Sequence, residues 1–300
     1  MNKLIIAVLF GVIVLIGLAA LISSLVVLSP SIGLFSNKIA VIPLKGSIES
    51  EKTAFASELS ASEIVERLED AKDDPSVAAI FLDIDSPGGS IVATKQVVAA
   101  VRDAKQEKPV VSWIGDLGAS GAYYVAAASD CIIADEDSLT GSIGVVSVVL
   151  SIEGFLEELG IDANVLTAGS HKAMGSLFED LDEGDAAILQ EILENAFSHF
   201  KRDIAEFRSG KLNLPLFDEV TDGRVLSGEQ ALSVGLIDGL GTRQHAIDKA
   251  AELAGIKSPV LADFGEKSVS LFDMFGDAGY SFGFGVRQGF LESADPKIQA

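Results

Sequence analysis

Three glycine-containing segments hold the groups able to do chemistry. DSPGGS (85–90) ends an apolar run and precedes a helical pattern. Pro87 fixes φ, while Gly88 and Gly89 are free to take positive φ. The segment therefore reads either as a tight strand-to-helix turn or as a place where backbone N–H groups point at an oxyanion. GDLGASGAYYVAAA (115–128) places Ser120 after a strand-like run, at the start of a small-residue helix. A serine there is an N-cap or a nucleophile. Gly118, Ala119 and Gly121 leave space around it for a substrate backbone, and the Gly121 N–H would lie next to the hydroxyl. Position 122 is Ala, so this is not the Gly-x-Ser-x-Gly elbow of α/β-hydrolases. The third region joins LTGSIGVV (139–146), with Ser142, to AGSHKAMG (168–175), with Lys172. Alone, Lys172 reads as a solvated loop lysine; walled by Met174, Leu177 and Phe178, it becomes a candidate base.

Several other chemistries are absent. The chain has no Gly-x-x-x-x-Gly-Lys-Ser/Thr phosphate loop, no His-Glu-x-x-His and no Gly-x-Gly-x-x-Gly after a strand. His171, His199 and His245 are scattered and read as surface residues, so no metal is expected, and no cofactor either. The single cysteine, Cys131, excludes an intrachain disulfide framework and reads as a small buried hydrophobe. With 22 Lys and Arg against 44 Asp and Glu, the net charge of −22 argues against nucleic acid as a partner. Acidic chains are usually of low hydropathy, yet the mean hydropathy here is +0.39. Charge and hydropathy must therefore occupy different parts of the chain.

The hydropathy is concentrated at the start. Residues 4–28 are apolar except for Ser23 and Ser24, and 25 residues of helix span about 37 Å, enough to cross a bilayer core of roughly 30 Å. This run is too long for the apolar region of a cleaved secretory signal. Lys3 before the span and an acidic body beyond it predict a cytoplasmic amino terminus, with residues 38–300 outside a cell (inner) membrane. The expected organisation is an anchor and linker (1–37), a catalytic domain (38–258) and a Phe/Gly-rich tail (259–300).

In the body, short β-branched runs alternate with helical periods. Strands are predicted over 38–46, 77–85, 109–115, 131–135 and 142–150, with one more beyond residue 163. Helices are predicted from a Ser60/Glu63 capping box to about residue 71, and over 91–105, 120–128, 183–208, 228–234 and 243–254. Continuous apolar strands separated by helices indicate an α/β fold with largely parallel pairing. There is no internal repeat.

In their order along the chain, DSPGGS, GDLGASGAYY, SLTGSIGV and SHKAMGS resemble the signal peptide peptidase A family of membrane-anchored serine proteases, in its short form. The resemblance runs from about residue 38 to residue 254. It implies a fold like that of the Clp protease subunit and crotonases, built of stacked ββα units. It also implies that Ser120 is the nucleophile, Lys172 the general base and Ser142 the residue that orients the lysine, with Gly89 and Gly121 supplying oxyanion N–H groups. The family more often has Gly-Gly after the nucleophile, where this chain has Gly121 and Ala122. The implied substrates are hydrophobic peptides such as released signal peptides. Because long members carry two copies of the core and this chain has one, a closed homo-oligomeric ring is expected, octameric by resemblance. In such a ring Ser120 and Lys172 can come either from adjacent subunits or from one chain. The rival readings are a crotonase-like acyl-CoA enzyme, a non-catalytic scaffold, and a related serine-lysine peptidase acting on a membrane-protein partner.

Lysine accepts a proton only as the neutral amine, which at the usual pKa of about 10.4 is about one molecule in a thousand near pH 7.5. Burial must therefore favour the neutral form against the field of a strongly acidic chain, including Glu179 and Asp180 nearby.

Overall fold

Three long apolar runs form the centre of an eight-stranded sheet: β1 (Lys38–Ile48), β2 (Val77–Gly89) and β3 (Val110–Ala119). The computed structural model describes residues 37–51 and 60–265. The predicted span (4–28), its linker and the tail beyond residue 265 lie outside these. Among the described residues no helix is long and apolar enough to cross a membrane. β2 is buried on both faces from Ala79 to Ile84, apart from a partly covered Ala78 before them, as a central parallel strand requires.

One face of the sheet packs against α1 (Ala61–Asp73), α2 (Ile91–Glu107) and α3 (Gly121–Ala127). α1 starts at the predicted capping box, where Ser60 and Glu63 satisfy each other's backbone N–H groups. α8 (Arg243–Leu253) covers the other face, where Ala246, Ile247 and Ala250 pack with Ile39, Phe81 and Val111.

β3 forks. Its first half pairs with β4 (Cys131–Ala134) and its last three residues, 117–119, pair with β5 (Leu139–Gly141). β4 continues to β7 (Gly239–Leu240), and β5 to β6 (Val225–Ser227), the antiparallel pair that makes the sheet mixed. Two expectations change here. Residues 142–150 are not a strand, and residues 163–182 contain none either. Both stretches carry strand-like residues, but pairing needs a neighbour with free backbone groups, and no strand pairs with them among the described residues. Val146, Val148 and Leu150 remain 83%, 76% and 65% exposed. A short helix, α4 (Glu153–Glu158), interrupts this arm and buries no residue.

α5 (Glu183–Phe207) follows, with Asp182 accepting the N–H of Asp185 at its start. At its end Arg208, 1% exposed, donates to Asp238 at 2.8 and 3.0 Å and to the Gly235 carbonyl at 3.1 and 2.9 Å. Asp238 also accepts the Ile132 N–H at 2.8 Å, which fixes the end of α5 to β4. The remaining elements are α6 (Leu214–Val220), α7 (Gly228–Val234) and β8 (Val260–Asp263). β8 pairs in parallel with β1 and lies within the stretch read from sequence as tail.

Candidate active site

Ser120 occupies the turn between β3 and α3 with φ 53° and ψ −121°. A non-glycine residue rarely takes this conformation, which costs on the order of 1–3 kcal/mol and persists only where neighbours enforce it. Two contacts enforce it here: the Ser120 N–H donates to the Gly141 carbonyl at 2.8 Å, and its carbonyl accepts from Tyr124 N–H at 3.0 Å. Its side chain makes no capping bond to α3, so the reading of Ser120 as an ordinary helix cap fails.

The Asp-Ser-Pro-Gly-Gly segment belongs to the end of β2 and is not a free turn. Gly88 (φ 94°) pairs with Ser47 and Gly89 with Ile48, and the Gly88 N–H is held by Ser86 Oγ at 3.1 Å. This strand end presses on the serine turn: a Cβ on Gly88 would stand 2.6 Å from the Gly121 nitrogen and 3.0 Å from Ser120 Cβ. A Cβ on Gly89 would meet the Ile48 carbonyl oxygen at 2.3 Å, and one on Gly121 would lie 3.3 Å from the Gly89 nitrogen. Gly89, Ser120 and Gly121 thus converge on one spot. As the first residue of α3, Gly121 has an N–H with no intrahelical acceptor.

All three line a cavity of about 250 Å³, together with Thr94 and Lys95 of α2, Tyr124 of α3, and Ala196 and Phe200 of α5. Val145 and Val146 form another side. The Tyr124 ring lies 4.8 Å from that of Phe200, and its hydroxyl donates to Asp203. Burial and that bond push the Tyr124 phenol well above its usual range. Thr94 is 2% exposed and its Oγ1 has no hydrogen-bond partner among the described residues. Sequence reasoning did not find these wall residues. Tyr124 carried a signal, one helical turn after Ser120; Thr94 carried none.

Ser142 sits beside Ser120. Ala119 pairs with Gly141 at the ends of β3 and β5, so each serine directly follows one member of that pair, and Ser142 also has positive φ, 51°. Thr140 Oγ1 holds the two strands together by donating to the Gly118 carbonyl at 2.7 Å. Ser142 Oγ donates to the Gly223 carbonyl at 3.3 Å.

Lys172 is not brought to this cavity. It is exposed, in a turn of the arm between β5 and α5, and the apolar wall expected around it is open, with Leu177 and Phe178 49% and 47% exposed. No cluster of His, Cys, Asp and Glu suited to a metal ion occurs among the described residues. Cys131 is buried, and burial pushes its thiol up.

Comparison with known proteins agrees with this geometry. Residues 102–257 match the model of peptidase family S49. A protein named as a protease in Methanocaldococcus jannaschii is 34% identical over 73% of this chain and 70% of its own length. One named as the signal peptide peptidase SppA in Enterococcus faecium is 30% identical over 72% of this chain and 63% of its own. Among solved structures, a membrane-bound stomatin-specific protease in complex with a substrate peptide is similar in fold, with TM-score 0.52 and 18% identity over 81% of this chain and 98% of that one. The strained serine, the glycines against it and these similarities lead to one assignment: the chain belongs to peptidase family S49 and is a serine protease.

Proposed function

We propose that the protein is a membrane-anchored endopeptidase that cleaves hydrophobic peptides, chiefly signal peptides already released from their preproteins, with a Ser120–Lys172 dyad. The observation that carries this reading is the strained Ser120 turn pressed against Gly88 and Gly89 at the mouth of a largely apolar cavity. Ser120 Oγ attacks the scissile carbonyl carbon while its proton passes to the neutral Lys172 amine. The Gly89 and Gly121 N–H groups receive the oxyanion. Collapse expels the amine product, which takes the proton from Lys172. Lys172 then deprotonates the water that hydrolyses the acyl-enzyme and restores the serine.

Within one chain the dyad is split. The turn bearing Lys172 is tied to Asp185 at the start of α5, whereas Phe200 of the same helix lines the Ser120 cavity. Eleven residues of helix separate Asp185 from Ala196, the nearer of the two α5 residues that line the cavity, about 16 Å at 1.5 Å per residue, beyond the reach of a lysine side chain. That separation, with the exposed apolar arm, supports a closed homo-oligomeric ring, octameric in this reading, in which Lys172 of one subunit serves Ser120 of the next. The arm would then acquire its strand partner and Lys172 its apolar wall at the subunit interface, next to Ser142. The anchor is residues 4–28, with a Clp protease/crotonase-like core of stacked ββα units on the outer side of the inner membrane. This placement follows from the hydropathy and charge of the sequence.

A fluorophosphonate probe tests the nucleophile: it should label the wild type and not Ser120→Ala. Lys172→Arg should be inactive while folded, because a guanidinium stays protonated; turnover in that variant would end the dyad assignment. The competing substrate class is a membrane-protein partner. Cleavage profiling of the detergent-solubilised protein on signal peptides and on membrane-protein segments decides between them.

A further inference from the structure

The turn that carries Lys172 is held mostly by itself. Its backbone bonds are local: Lys172 N–H to the Gly169 carbonyl, Met174 N–H to that of His171 and Ser176 N–H to that of Ala173, at 3.2, 3.3 and 2.7 Å. Among the described residues, two hydrogen bonds leave residues 169–176: Phe178 N–H donates to Ser176 Oγ at 3.1 Å, only two residues on, and the other reaches α5. His171 Nδ1 lies 2.6 Å from Oδ1 of Asp185. Asp185 is 8% exposed in the first turn of α5, and its N–H is fixed by Asp182 Oδ1 at 2.8 Å. A buried carboxylate on a 25-residue helix therefore grips the residue next to Lys172.

We propose that His171 and Asp185 are positioning residues for the general base. This rests on the reading of Lys172 as that base. The imidazole–carboxylate bond clamps an otherwise self-supported turn to a rigid helix, and so sets the height and direction from which Lys172 is presented. An ionised carboxylate only accepts hydrogen bonds, so Nδ1 carries the proton whether the ring is neutral or charged. The clamp acts through Lys172 without touching substrate, and a small misplacement of a reacting group costs about 100-fold in rate.

The test uses the full chain in detergent and an internally quenched peptide rich in alanine and leucine. His171→Phe and Asp185→Ala should each lower kcat by about 10- to 100-fold while KM stays within about 3-fold and the assembly keeps its size in gel filtration. The double variant should fall no further than the worse single one, because both changes open the same bond. An asparagine amide can stand where Nδ1 stands, so His171→Asn should return kcat to within about 3-fold of wild type. A glutamine amide stands nearer the place of Nε2, so His171→Gln should remain low. These two polar variants suit a half-exposed position and keep the test decisive even if His171→Phe fails to fold. Wild-type kcat in His171→Gln, or equal losses in the Asn and Gln variants, overturns the clamp while Lys172→Ala stays inactive. Turnover by Lys172→Ala instead overturns the base assignment itself, whatever the clamp variants do.

Discussion

A Cβ on Gly121 would stand 2.6 Å from Thr94 Oγ1 and 3.2 Å from its Cγ2. Thr94 is a buried β-branched residue within a helix and has little freedom to swing clear. Gly121→Ala should therefore shift the N–H proposed to receive the oxyanion and lower kcat/KM by about 100-fold, the usual cost of losing one such donor. Thr94→Ala in the same chain removes both clashing atoms and should recover part of that loss, measured as kcat/KM of the single and double variants. Ser120 allows a second check. Its positive φ costs on the order of 1–3 kcal/mol, so Ser120→Gly should abolish turnover yet raise stability by about 1 kcal/mol in a denaturant melt. Residue type left Ser120 as either an N-cap or a nucleophile; only the ordered motifs, through their family resemblance, suggested roles for it and its glycines. Thr94 was not legible, because its contact with Gly121 is made by two helices meeting across 27 positions of sequence.

At the scale of elements, the joint between α5 and β4 depends on Arg208 and Asp238. Burial pushes the Asp238 carboxyl up, but hydrogen bonds from Arg208 and Lys211 and the Arg208 charge outweigh this and hold it below the usual carboxylate range. A carboxylate depressed by folding contributes its full stability above its unfolded value of about 3.9, and loses it as the pH falls through the folded value. Arg208→Met leaves this carboxylate only Lys211 and the Ile132 N–H as partners and should cost about 3 kcal/mol at pH 7. The gap from wild type should narrow in denaturant titrations below about pH 4. Six of the eight helices among the described residues were legible from local signals such as the Ser60 and Glu63 cap, whereas α4 and α6, six and seven residues long, were not. β6 and β7, three and two residues long, exist only because β5 and β4 pair with them, and no window of sequence contains that fact. The run at 142–150 misled for the converse reason: its residues suit a strand, but no strand pairs with it among the described residues.

For the whole molecule, the distribution of apolar surface matters more than its amount. Leu166 is 94% exposed, Phe155 61% and Leu159 59%, all on the arm between β5 and α5, while the sheet core is fully covered. Exposed large apolar side chains gathered in one region mark an interface. Under a shared dyad, Ser120→Ala and Lys172→Ala proteins, each inactive alone, should regain activity when co-assembled, up to about one quarter of the wild type if subunits mix at random and each site needs one intact serine and one intact lysine from neighbours. Absence of any recovery in subunits shown to exchange would mean that the dyad lies within one chain. The 22 excess negative charges oppose close packing of subunits, so assembly and activity should both increase with salt, measured by sedimentation and by peptide turnover. The distance along α5 between Asp185 and Ala196 then has a biological meaning. If the dyad is shared, a solitary chain leaving the ribosome would hold both halves of its chemistry yet be harmless to its surroundings, and closing the ring would itself be the act of activation.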